Sequence, residues 1–121
     1  MAEPFDHATL GALRHAAEVA IRTSANAKRA IVIWVVVVGD NVFARSFRGP
    51  GAKWYASAVA DRQATLELDD GRWPVSVTPV TDPAVVAAVS QAYLGKYVTS
   101  PYANEMVRAE ILPTTVRLDP R

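Results

Sequence analysis

The chain has 121 residues, half of them hydrophobic and 21% charged, with a formal net charge of +1 and no cysteine. That length makes one domain, residues 1–121, able to bury roughly two-thirds of the surface its unfolded chain exposes. The missing cysteines exclude a disulfide scaffold, a thiolate metal site and a cysteine nucleophile, and the near-neutral balance gives no reason to expect nucleic acid as a partner.

Glu3 and Asp6 open the chain with no apolar h-region, so a signal peptide is not expected. Pro4–Ala17 reads as a first helix. Asp6 is placed to cap it, Phe5 and Leu10 stand at the hydrophobic-staple positions, and Leu10, Leu13 and Ala17 form one stripe. From Val19 the period changes to two, with Val19, Ile21 and Thr23 on one face of a strand. Ser24–Lys28 is polar and turn-like.

Arg29–Val38 is the strongest strand signal, β-branched and apolar on both faces, and reads as one long strand. Such a strand must be covered on both sides, one by the sheet interior and the other by a helix or a second subunit. Its apolar stretch is far too short to span a bilayer, and the expected location is cytoplasmic, with no membrane partner.

Gly39-Asp40-Asn41 predicts a tight hairpin turn. Val42–Phe47 returns as the partner strand, placing Val42, Ala44 and Ser46 on one face and Phe43, Arg45 and Phe47 on the other. Arg48-Gly-Pro-Gly51 breaks it, and Ala52–Ala60 follows as a short helix with Trp54 and Ala58 inward. Ala64, Leu66 and Leu68 alternate along a strand, and Asp70-Gly71 turns it into Arg72–Val80. Pro74 within that strand argues for an edge or a bulge.

Asp82-Pro83 is a helix start, Val85, Val86, Val89 and Tyr93 form its buried stripe, and Gly95 is a plausible stop. Val98–Leu112 is a long excursion, of the kind that is functional or sits at an interface. Thr114–Leu118 closes the chain as a strand. The sum is about six strands and three helices, an α+β class with a small, mostly antiparallel barrel or strongly curled sheet.

Few residues suggest chemistry. His7 and His15 lie two helical turns apart, too far for a shared metal site, so no metal is expected. Asp69 and Asp70 point to opposite faces, and no nucleophile elbow, Rossmann or phosphate-loop pattern is present. One stretch stands out. Lys28, Arg29, Arg45, Arg48 and Lys53 are expected to converge at one end of the sheet, beside a glycine-rich loop that opens a helix. That arrangement suits an anion, with Trp54 and Tyr55 beside it for a flat ligand. A solvated basic rim, with Trp54 as a packing anchor, fits the same residues.

The order of strand, basic turn, Ile-Trp-Val-Val-Val-Val strand, Ser46-Phe47-Arg48-Gly49 and Lys53-Trp54-Tyr55 resembles the pyridoxamine-phosphate-oxidase-like split barrels. Within them it is similar to the DUF2255 family, related to the deazaflavin-dependent nitroreductases, over about Ala17–Leu118. The resemblance implies a homodimer with FMN or coenzyme F420 in a groove at the dimer interface, and a small oxidoreductase of unknown substrate. Lys28 and Arg29 would contact phosphate. Ser46, Phe47, Arg48 and Gly49 would line the ring, Lys53 and Trp54 would close the site, and Arg45 joins them as a cation. Deazaflavin-binding relatives carry a Gly-Arg-Lys-Ser-Gly-like turn where this chain reads Thr23-Ser24-Ala25-Asn26-Ala27-Lys28-Arg29. No histidine is expected near the groove to hold haem. Two alternatives remain: a cofactor-free protein binding another anionic small molecule, and a non-catalytic interaction domain. No catalytic residue is assigned. Tyr55, Tyr93, Tyr97 and Tyr102 are proton-donor candidates by chemistry alone.

Overall fold

A computed structural model describes residues 4–121 and orders them around a seven-stranded antiparallel sheet curled into a nearly closed barrel. The strands are β1 (Val19–Arg22), β2 (Ile31–Ile33), β3 (Val35–Val38), β4 (Asn41–Ala44), β5 (Gln63–Leu68), β6 (Gly71–Pro79) and β7 (Val116–Pro120). They run β2-β1-β5-β6-β7-β4-β3. Three helices flank them: α1 (His7–His15), α2 (Lys53–Asp61) and α3 (Pro83–Lys96).

The long apolar run is therefore two strands, not one. It breaks at Trp34: β2 pairs with β1 and β3 pairs with β4. Since β2 and β3 are the two ends of the strand order, one residue of chain joins the sheet's edges and curls it. This raises the strand count from six to seven. No glycine or proline marks the break, so the β-branched pattern reads straight through it.

Local signals mostly hold. Asp6 accepts the Thr9 amide at 2.7 Å to cap α1, and Asp82 accepts that of Ala84 at 2.9 Å to cap α3. The β3–β4 hairpin pairs Val38 with Asn41, and Gly39 takes the φ of +61° its turn requires. α3 runs through Gly95 to Lys96, because helix packing outweighs the modest cost of one glycine. β6 is an interior strand in unbroken register with β5, which corrects the edge or bulge expected from Pro74. The ladder from β6 to β7 ends at Val75↔Pro120, so the ring nitrogen of Pro74 faces the place where β7 runs out.

Two cores result. Inside the barrel, Ile21, Val35, Val42, Ala44, Leu66, Val75, Val116 and Leu118 meet Leu10 and Leu13 of α1 and Trp54 and Ala58 of α2. The staple residue Phe5 joins them. Outside it, Val36 and Phe43 meet Val89 and Tyr93 of α3 and Met106 and Ile111 of the excursion, which forms two 3₁₀ stretches, Ala103–Val107 and Ala109–Thr114. Each fully buried aliphatic side chain contributes about 1.5–3 kcal/mol. No helix among the described residues is long and apolar enough to cross a membrane.

Candidate functional site

Where the run breaks at Trp34, the barrel wall opens. Val35 still faces Ala44, but β2 turns to β1 while the chain after Ala44 turns toward α2. The gap between them is a groove of about 1030 Å³. Ile31, Val32, Ile33 and Trp34 form one wall. Arg45, Phe47, Arg48, Gly51, Ala52, Lys53 and Trp54 form the other, with Tyr102 and Met106 of the excursion beside them. Glu18, Ala25 and Asn26 complete the lining. The walls are mainly apolar, as ligand clefts generally are.

Five of the nine residues expected from the sequence thus line one groove: Arg45, Phe47, Arg48, Lys53 and Trp54. Ser46 and Gly49 build the turn behind the wall. The Ser46 hydroxyl donates to the Gly49 carbonyl at 2.6 Å, the Gly49 amide donates to Ser46 O at 3.0 Å, and Gly49 takes φ +84°. Lys28 and Arg29 are exposed and lie outside the lining, because β2 pairs with β1 rather than extending the β3–β4 hairpin. The expected convergence of cations narrows to Arg48 and Lys53.

Arg45 is a different kind of cation. It is 1% exposed. Its guanidinium donates to Thr115 Oγ1 at 2.8 Å, and to Ser90 Oγ, Met106 O and Val86 O at 2.9 Å each, and it stacks over Tyr93 at 5.6 Å. Burial pulls its pKa down, yet a guanidinium stays charged in proteins. Its donors hold the excursion and α3 against β4 rather than reaching into the groove.

Of the tyrosines, only Tyr102 lines the groove, in edge contact with Phe47 at 6.5 Å. Tyr93 donates to Trp34 O and Tyr97 to Ala17 O, both at 2.8 Å, and burial raises the pKa of each. Tyr55 points to Pro113 O. Trp54 is a core anchor with one side on the groove.

Trp34 was not picked out by sequence reasoning. Its ring stacks on Tyr97 at 3.8 Å and 6°, and it stands at the mouth of the split. The signal available was a lone aromatic inside a β-branched run. Glu18, Asn26 and Met106 left no signal, since only the fold brings them here. Neither histidine lines the groove.

A family model described as an uncharacterised protein conserved in bacteria, DUF2255, matches residues 9–118. The chain belongs to the DUF2255 family. No curated protein matches the sequence. Solved structures confirm the split-barrel fold of this DUF2255 member. A conserved hypothetical protein of Mycobacterium tuberculosis superposes with a TM-score of 0.74 at 12% identity, covering 99% of this chain and 82% of the other. A FAD-binding protein of Mycobacterium smegmatis gives 0.64 at 20% identity, covering 98% and 92%. HutZ, the heme storage protein of Vibrio cholerae, gives 0.67 at 11% identity, covering 95% and 89%.

Proposed function

We propose that this protein binds a flavin-type cofactor, FMN or F420, in the groove and acts as a small homodimeric oxidoreductase. One observation carries the reading: a mainly apolar groove of about 1030 Å³ is lined by Arg48 and Lys53, besides the internally bonded Arg45, with Trp34, Phe47, Trp54 and Tyr102 around it. Those residues fit a flat ring system with an anionic tail. The description of a neighbour as a FAD-binding protein supports the same reading. The cofactor, when bound, would supply hydride chemistry. The chain's own part is simpler. Arg48 and Lys53 would pair with the anionic tail, Phe47 and the β2 wall would exclude water from the ring, and the Trp34–Tyr97 stack would hold that wall rigid.

The exposed part of β2 supports the dimer. Val32 is 58% and Ile31 38% exposed, on an apolar strand at the groove's edge, and a second copy seated there would cover them. Sedimentation at micromolar concentration checks this, and a monomer would contradict it. A second reading is favoured by the position of Lys28 and Arg29 outside the lining: a cofactor-free protein whose groove holds another anionic small molecule. Separate titrations with FMN and F420 decide between them. Saturable binding of one supports the oxidoreductase, whereas no binding of either leaves the second reading.

A further inference from the structure

Several charges of this chain neutralise one another. Glu67 is held by Arg22 and Arg72, Asp119 by Arg117, and Arg108 by Glu105 and Glu110. The groove differs. Glu18, Arg48 and Lys53 all line it, and among the described residues none of them makes an ion pair with another.

The sheet register separates these charges along the groove. Val19 pairs with Ile33, so Glu18 sits beside Trp34. The β3–β4 ladder ends at Val35↔Ala44, beside Trp34, and from there the chain leads through Arg48 to α2, away from the Trp34 end. α2 is fixed at that same end: the Ser57 hydroxyl accepts the Ala25 amide at 3.2 Å and lies 2.9 Å from Ser24 Oγ, beside the turn that leads into β2. Arg48 and Lys53 therefore gather at the Ile31 end and the Glu18 carboxylate stands at the Trp34 end. Three residues of strand separate the two ends by about 10 Å. Val32 and Ile33 lie between them.

We infer that the groove selects a bipolar ligand: a flat apolar body with an anionic group at the Arg48–Lys53 end and an N–H donor at the other, accepted by Glu18. This rests on the groove being the binding site, and it adds a polarity and a chemical class to that reading. Glu18 works in two directions. It accepts a hydrogen bond from a donor, and it repels any acceptor or second anion that a ligand brings to the Trp34 end, which is how one charge produces discrimination. Two anions at the cationic end would bind alike. They separate only by what they offer to Glu18.

The test uses a pair of probes that differ by one amine, 6-aminonaphthalene-2-sulfonate and naphthalene-2-sulfonate, titrated calorimetrically into the full chain near neutral pH. The wild type is expected to prefer the amine by about tenfold, the scale of one charge-assisted hydrogen bond. Glu18→Ala should bring the two probes within about twofold of each other, and Arg48→Ala should weaken both by about tenfold while keeping the preference. Glu18 is exposed, so its substitution leaves the core intact. Equal binding of both probes by the wild type, or a preference that survives Glu18→Ala, overturns the inference and leaves the groove as a site. Binding of neither probe overturns the groove reading, and this inference with it.

Discussion

β2 and β3 are consecutive pieces of one apolar run, yet their outer faces meet different fates. Over β3 and β4, the excursion and α3 bury Val36 and Phe43 completely, and Arg45 bolts the layers together. On β2 the outward Val32 stays in solvent, 58% exposed beside the groove. The same residue types thus build core where a helix covers them and the wall of an open groove where they stay exposed. The two arginines of the Arg45–Arg48 stretch repeat the lesson. One has its donors consumed by the protein, while the other, three residues on, faces an open cleft.

That contrast can be broken most forcefully at Arg45. Arg45→Ala strands the Thr115 and Ser90 hydroxyls and two carbonyls in the interior, and should destabilise the fold by about 3–5 kcal/mol in chemical denaturation. Arg48→Ala should leave stability within about 0.5 kcal/mol but weaken an anionic groove ligand by about 1.5 kcal/mol. Arg29→Ala should do neither, and a loss of affinity there equal to that of Arg48→Ala would erase the distinction between the groove and the outer rim. Tyr93→Phe removes one buried hydrogen bond to Trp34 O and should cost about 1 kcal/mol, read by thermal melting. Val32→Asp should change monomer stability by less than about 0.5 kcal/mol while shifting sedimentation toward monomer.

The smallest effect is electrostatic. Hydrogen bonds from Arg22 and then Arg72 hold the Glu67 carboxyl down to about 2. Its folded pKa lies below its ordinary value of 4.5, so its contribution is complete above that value and disappears as pH falls through about 2. Melting temperatures measured between those limits should fall with acid. Glu67→Gln should flatten part of that slope, and salt should shrink it, as for any exposed network.

Much of the fold was legible because its signals are local. Caps at Asp6 and Asp82, the turn at Gly39 and the alternation along β4 and β5 each act within a few residues. Trp34 was not, because the break in the long run is imposed by pairing with β1 and β4 rather than by any residue within it. Arg45 reads as a surface cation by type. Its burial depends on Ser90 and Thr115, 45 and 70 positions along the chain. The site was half legible for the same reason. Phe47, Arg48, Lys53 and Trp54 are neighbours in sequence, whereas Glu18, Trp34 and Tyr102 reach them only through the barrel.

The strand order also governs how the chain must assemble. Local hairpins can form β3 with β4 and β5 with β6 within microseconds. The sheet that joins them does not exist until β7 inserts between β6 and β4, pairing Val116 with both Ala44 and Pro79. Closing a loop of about seventy residues comes first, so folding should be slow for a chain of this size. Until that step the two hairpins present bare edges to solvent. The groove, whose walls come from both sides of that closure, is among the last features to take shape.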